Sequence, residues 1–289
     1  METEKCRVLL EVIRQGSFSA AAKRLAYTPS GVMRAVNALE KEIGFPMVAR
    51  NARGIVVTKD GQRLLPSIRE FIRLEEQIHQ TSAQICGLDV GDVSVGTYFS
   101  VAANWLPSII GRFQRDYPGI HVALEECANR EMYRGLEERR FDCCITTPRP
   151  FHGDWLPLRR DEMMVWLPAQ HPLAGEAAYP IQRLAEEHFI QPLPGHDTDV
   201  EKLLREEQIH CQTHFSSVDN YTTYRLVEAG LGVSINNQLM TASWHGSVAV
   251  LPMDPPHYIE LGIAVPSLAH ASPAVRQFIT YVQQGVQNL

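Results

Sequence analysis

The chain has 289 residues, 45% of them hydrophobic and 21% charged, with a net charge of −6. This composition excludes a wholly disordered chain, and the length favours roughly two domains. Its longest apolar runs, such as Met163–Pro168 and Leu261–Pro266, are too short to span a bilayer, and Met1-Glu-Thr-Glu-Lys-Cys6 has no leader character, so a cytoplasmic protein without membrane contact is expected.

The cysteines, Cys6, Cys86, Cys127, Cys143, Cys144 and Cys211, form no Cys-x-x-Cys pair. That pattern is neither a disulfide framework nor a zinc site, and reduced, mostly buried thiols are expected. Charge is spread unevenly. Residues 1–64 carry 11 basic and 6 acidic side chains, whereas 65–289 carry 16 and 27. A basic head on an acidic body points to a DNA-binding module attached to a sensor or assembly domain.

Val8, Leu9, Val12 and Ile13 form the apolar stripe of a first helix, which Gly16 ends. Ser17 is a natural N-cap for a short Ala-rich helix, Phe18–Leu25, and Ala26-Tyr27 makes a tight turn. Thr28 then caps a third helix with Pro29 at its first position, running to Ile43 before Gly44. Val32, Val36, Leu39 and Ile43 make its apolar side, while Ser30, Met33, Arg34, Asn37 and Lys41 face the other way. An outward basic face on the second helix of a helix-turn-helix is what major-groove docking requires. The motif spans Phe18 to Asn37. Phe45–Thr58 reads as strand, basic turn, strand: a wing that places Arg50 and Arg53 against phosphates or in the minor groove.

Gly16-Ser-Phe-Ser-Ala-Ala-Ala-Lys-Arg-Leu25, Arg34-Ala-Val-Asn-Ala-Leu-Glu40, Ile43-Gly-Phe-Pro46, Arg50 and Thr58-Lys-Asp-Gly61 resemble the N-terminal domain of LysR-type transcriptional regulators. The resemblance runs about sixty residues without a gap. Two positions depart from the family's usual pattern: Pro29 stands where a base-reading Gln is common, and Met33 where a phosphate-binding Ser is common. Met33 offers no strong hydrogen bond but can press on a thymine methyl. Arg34 is the contact the resemblance carries over most directly.

From Thr58 to about Cys86 the pattern is a long amphipathic helix, with Leu64, Leu65, Ile68, Phe71, Ile72, Ile78 and Ile85 near one side. Pro66 is expected to kink it or mark its true start. Its stripe needs cover, from a second copy of itself or from its own chain. The resemblance implies the former: a helix that pairs two subunits, in a homodimer or homotetramer, so that two recognition helices face a twofold-related site on double-stranded DNA. The domains are then 1–60, a winged helix-turn-helix; 61–88, the linker helix; and 89–289, an effector-binding domain.

Gly87–Gly91 is the expected hinge. Strands at Asp92–Thr97, Ile120–Glu125 and Phe141–Thr146 alternate with helices at Ser100–Tyr117 and Asn129–Arg140, which implies a parallel sheet covered on its faces. A second series has strands at Glu162–Leu167, His188–Pro192, Ile209–Phe215 and Val233–Asn236. Its helices lie near Ile181–Glu187, at Asp199–Gln208 and after an Asp219 cap; strand Tyr258–Pro266 and helix Pro273–Val286 close the chain. The overall class is α/β. The order also resembles the family's effector region, which is like periplasmic binding proteins of type II architecture and implies two Rossmann-like α/β lobes, about 91–148 plus 266–289 and 157–262.

Ligands of open α/β sheets bind beyond the carboxyl ends of the strands. Tyr98, Phe99 and Ser100 follow the first strand, Asn129 the second, and Thr146 and Thr147 the third, with Gly195, His196 and Asn237 expected across the cleft. Each is also a plain cap, turn or wall residue in waiting. The resemblance implies that Ser100 and Asn129 hold a small-molecule effector, an organic acid or an aromatic metabolite. His210 and His214 in a strand lie roughly 13 Å apart, too far to share one ion, and no Gly-x-Ser-x-Gly, Gly-x-Gly-x-x-Gly or Walker motif occurs. No metal, cofactor or catalysis is expected. The competing class is a metabolite-binding or catalytic α/β protein whose N-terminal helices serve assembly alone.

Overall fold

The computed structural model describes residues 1–51, 54–85, 89–241 and 244–289. By packing these form two units, Met1–Gly91 with Glu137–Arg140, and Asp92–Leu136 with Phe141–Leu289.

In the first unit, α1 (Thr3–Gln15), α2 (Phe18–Leu25) and α3 (Pro29–Ile43) follow the expected boundaries. Gly16 and Gly44 end α1 and α3 in the left-handed conformation, and Ala26 does the same for α2 at φ 57°. The Ser17 side chain accepts from Ala20 N and that of Thr28 from Gly31 N, satisfying helix-start donors that have no partner inside the helix. Leu9, Val12, Ala21, Val32, Val36 and Leu39 meet in one core. Strands β1 (Val48–Asn51) and β2 (Gly54–Val57) pair antiparallel as the wing.

Helix α4 (Lys59–Ile85) starts just after Thr58, whose hydroxyl accepts from Gly61 N at 2.9 Å. Pro66 therefore lies inside the helix and does not mark its start. The expected stripe divides in two. Leu64, Ile68, Phe71 and Ile72 pack on the α1–α3 core, so this stretch is covered by its own chain. Leu74, Ile78 and Ile85 are exposed, at 47%, 69% and 83%. The expected hinge residues Gly87 and Leu88, like Cys86, lie outside the described residues.

The second unit contains β3 (Val90–Thr97), α5 (Phe99–Asn104), α6 (Leu106–Asp116), β4 (Gly119–Glu126), α7 (Asn129–Glu137), β5 (Cys143–Thr146), β6 (Asp154–Pro168), β7 (Tyr179–Pro180), β8 (His188–Pro192), α8 (Asp199–Glu206), β9 (Gln212–Ser217), α9 (Asn220–Glu228), β10 (Ser234–Asn237), β11 (Val248–Asp254), β12 (Tyr258–Val265) and α10 (Pro273–Gln287). The single helix expected at Ser100–Tyr117 is two. Pro107 has no N–H to give a preceding turn, so the chain restarts at Leu106 with proline in the new first turn. Asn129–Arg140 ends earlier, at Glu137, and Ile181–Glu186 is a 3₁₀ turn. The strand expected at Ile209–Phe215 forms at Gln212–Ser217, and β11 has no counterpart in the sequence reading because Pro252 interrupts its strand pattern.

Among the described residues eight strands form one sheet, in the order β4-β3-β5-β12-β6-β11-β7, with β10 also on β6. It is mixed and not purely parallel. β3 and β5 run parallel, whereas β12 is antiparallel to both β5 and β6. The reason lies in the return path: β11 pairs with Met164–Pro168 and β12 with Asp154–Glu162, so residues 248–265 run back along the whole of β6. β8 and β9 pair parallel alongside.

The two largest cores of this unit hang on β6. Val95, Ile109, Phe113, Ile145, Ile263 and Phe278 belong to one, and Val165, Leu184, Phe189, Leu203 and Ile235 to the other. The first half is covered on both faces. Cys143 points into the layer under α6 and α10, while Cys144 points into the layer under α7 with Met132 and Leu136, as alternation along a strand demands. Cys6, Cys143 and Cys144 are buried thiols, and burial raises the pKa of Cys143 above its ordinary range.

Gly61 of the Thr-Lys-Asp-Gly signature is required for close approach, since a Cβ there would sit 2.4 Å from the Met47 carbonyl oxygen. Gly61→Ala is expected to cost about 1–3 kcal/mol of stability, measured as a lower unfolding midpoint that Gly111→Ala, whose new Cβ on a helical backbone meets nothing within 4 Å, does not reproduce.

Candidate functional sites

On the first unit, Val32, Val36 and Leu39 turn inward, leaving Thr28, Pro29, Ser30, Met33, Arg34 and Asn37 exposed along one side of α3. Lys41 extends this face, and Arg50 is exposed on β1. The structure thus brings the expected α3 residues and Arg50 onto the surface, with Met33 46% exposed. Arg53 lies outside the described residues.

One residue of this unit went unread in the sequence. Glu40 Oε1 accepts from Met47 N at 2.7 Å and Val48 N at 3.1 Å, tying the end of the recognition helix to the first strand of the wing. Its signal was a half-buried carboxylate on the core-flanking side of α3, indistinguishable in sequence from a solvated one.

In the second unit, a cavity of about 420 Å³ opens where the strand ends meet α5, α7, α8 and α9, within the usual size range of small-molecule sites. Tyr98, Phe99, Ser100 and Asn129 line one side, and His196 and Asn237 line the other. Thr146, Thr147 and Gly195 do not line it. The two threonines are buried beneath Tyr98 and Asn129, and Gly195 forms the left-handed turn (φ 77°) that carries His196.

A polar network joins the two sides. The Tyr98 hydroxyl donates to Asn129 Oδ1, lies 2.9 Å from Thr147 Oγ1 and 3.3 Å from Asp199 Oδ2. Thr146 Oγ1 donates to Asn129 Oδ1 at 2.7 Å, and Asn129 Nδ2 donates across to the Asp197 carbonyl at 2.9 Å. Arg149 ties the network together: Nε donates to Asp197 Oδ2 at 2.8 Å, Nη2 to Asp199 Oδ1 at 3.0 Å and Nη1 to Thr147 Oγ1 at 3.0 Å. Thr147 Oγ1 itself donates to Asp199 Oδ1 at 2.8 Å. Tyr133 buttresses the loop, donating to the Thr147 carbonyl and accepting from Arg149 N, and burial pushes its hydroxyl up to about 12.

The electrostatics follow from this geometry. Burial disfavours the Arg149 charge, but Asp199 and Asp197 more than offset that and hold the guanidinium above its ordinary pKa. Burial, reinforced by the Asp199 charge, raises Tyr98 well above the normal phenol range, so it stays a neutral donor. On the opposite wall Asn237 Nδ2 donates to Asp161, whose burial raises its pKa while that bond partly offsets the effect. Part of the hydrogen-bonding capacity of Asn237 is therefore spent inside the wall. Arg149, Asp197 and Asp199 were missed in the sequence because they stand 48 and 50 positions apart. The weak local clue was an arginine set between two prolines directly after a buried strand.

A helix-turn-helix with an exposed basic recognition face, followed by a cleft between two α/β halves, defines a DNA-binding regulator with an effector-binding domain. Residues 3–62 match the bacterial regulatory helix-turn-helix protein model of the lysR family, and residues 87–287 match the LysR substrate binding domain. The chain belongs to the LysR family of transcriptional regulators.

Among curated relatives, the uncharacterized HTH-type transcriptional regulator YvbU of Bacillus subtilis (strain 168) is 27% identical over 287 residues, covering 98% of each chain. The fold is shared with full-length OxyR C199D from Pseudomonas aeruginosa (TM-score 0.78, 21% identity, 99% of this chain and 95% of that one). It is shared too with full-length CbnR complexed with its target DNA (TM-score 0.69, 19% identity, 99% and 100%). Among the described residues no helix is long and apolar enough to cross a membrane.

Two substitutions test these assignments. Glu40→Ala strands two backbone donors and is expected to cost about 1–3 kcal/mol, lowering the thermal midpoint and weakening DNA binding together. Arg149→Ala leaves Asp197 and Asp199 facing each other without a cation and is expected to cost about 2 kcal/mol. Hydrogen exchange should then quicken in α8 and the 147–149 loop while α1–α3 are unchanged.

Proposed function

We propose that the chain is a one-component transcriptional switch, in which a small molecule in the cleft changes the grip of paired recognition helices on DNA. The observation that carries this reading is the pairing, in one chain, of an exposed basic α3 face with a preformed, aromatic-lined cavity. Thr28, Pro29, Ser30, Met33, Arg34 and Asn37 meet the major groove, and Arg50 and Arg53 of the wing meet phosphates or the minor groove. Pro29 and Met33 read shape and thymine methyls in place of hydrogen-bonding pairs.

A second subunit covers Leu74, Ile78 and Ile85 of α4, apolar side chains left exposed after the α1–α3 core is filled. Two such subunits, or two pairs of them, set the recognition helices on twofold-related half-sites. Ligand entering the cleft changes how the two halves close around the Arg149 network. The resulting shift in subunit packing alters the spacing of the recognition helices and the bend in the DNA. Ser100, Asn129, Tyr98, Phe99, His196 and Asn237 are the ligand contacts on this reading, with Thr146, Thr147 and Gly195 supporting them from behind.

Arg34→Ala is expected to weaken operator binding at least tenfold while leaving the unfolding midpoint and the oligomeric state unchanged. The parent protein should lose DNA affinity steeply with salt, with log K falling by roughly 0.9 per neutralised phosphate for each unit of log salt. Binding that is flat in salt, or indifferent to Arg34, would instead favour a metabolite-binding protein whose N-terminal helices serve assembly alone.

A further inference from the structure

The cleft is charged against the organic acid that the family resemblance implies. Glu126, Glu131, Asp197, Asp199 and Asp219 line it, and no lysine or arginine is among the lining residues. Two groups next to the cavity that would grip an anion, Thr147 and Arg149, are already engaged by the protein's own carboxylates. Thr147 Oγ1 and Arg149 Nη2 both donate to Asp199, and Arg149 Nε donates to Asp197. A ligand carboxylate arriving beside them meets like charge in a partly desolvated space, where repulsion is screened less than in water.

The remaining surface suits the opposite sign. Phe99 and Tyr221 line the cavity and are both packed against Trp244, with ring centroids 6.0 and 5.4 Å away. Electron-rich ring faces attract ammonium groups, and carboxylates beside them add to that attraction. An independent observation marks the place as a ligand site. Ser100 is 1% exposed and lines the cavity, and among the described residues its hydroxyl has no hydrogen-bond partner. A hydroxyl at the cavity wall without a protein partner is open to a ligand's polar group.

We infer that the effector is an organic cation, a primary or quaternary ammonium on an apolar or aromatic body. Its charge rests among Phe99, Tyr221 and the carboxylates, its body lies on Met163, Met240 and Ile259, and its polar group meets Ser100. This inference rests on the reading of the cleft as the effector site.

The test is titration calorimetry and thermal shift on the full chain with two probes of matched ring and opposite charge. Benzyltrimethylammonium keeps its charge at every pH, and phenylacetate is the anion. The cation is expected to bind and raise the midpoint, with phenylacetate inert at the same millimolar concentration. Phe99→Ala should weaken the cation about fivefold, and Glu126→Gln, an exposed rim position that leaves the fold alone, about threefold. Asp199→Asn should release Arg149 and move the preference toward phenylacetate. Parent protein that binds phenylacetate at least as tightly as the cation, or binds no cation, overturns the inference. Salt-dependent DNA binding, measured on the same preparations, keeps the two questions apart. If it is retained, only the ligand's charge class has failed; if it is absent, the regulator reading fails whatever the probes show.

Discussion

The second unit is organised by one strand. Its two largest cores share β6, whose first half pairs with β12 and whose second half pairs with β10 and β11. Because residues 248–265 return along β6 in antiparallel register, the connection between the halves is a hydrogen-bonded ribbon and not a pair of free linkers. Both halves are therefore joined through ladder hydrogen bonds along the whole of β6. The cavity lies between Tyr98 and Asn129 on one side and Asp197 and Asp199 on the other.

A second link is the Arg149 network. A guanidinium only 13% exposed, forked onto two carboxylates from the opposite half, is strong when intact and costly when broken. It ties the two sides of the cleft together. The same network also sets the electrostatic sign of the site, because one guanidinium is shared by two carboxylates and the Arg149–Asp197–Asp199 group keeps a net negative charge.

The first unit uses a different economy. Its recognition helix is held by a small apolar core, by caps at Ser17 and Thr28, and by Glu40, which anchors the wing through two backbone donors. The face left outward is short on hydrogen-bonding side chains where Pro29 and Met33 stand.

Much of this was legible in the chain itself. Helix boundaries at Gly16, Ser17, Thr28-Pro29 and Gly44 are local effects, set by left-handed glycines and capping hydroxyls within a few residues. The facing of Cys143 and Cys144 followed from the two-residue period of a strand. Other expectations failed for equally physical reasons. The stripe on α4 was divided by what the α1–α3 core had room to cover, Pro107 cut one helix into two, and β11 was hidden by Pro252. The sequence alone determined the order of elements, the basic outward face of α3 and the family, because these depend on neighbours a few positions apart. Only the tertiary structure decided that Thr147 and Arg149 meet Asp197 and Asp199 and that the cleft is acidic, because those contacts join residues about fifty positions apart, and no local pattern encodes which distant charge will neutralise another.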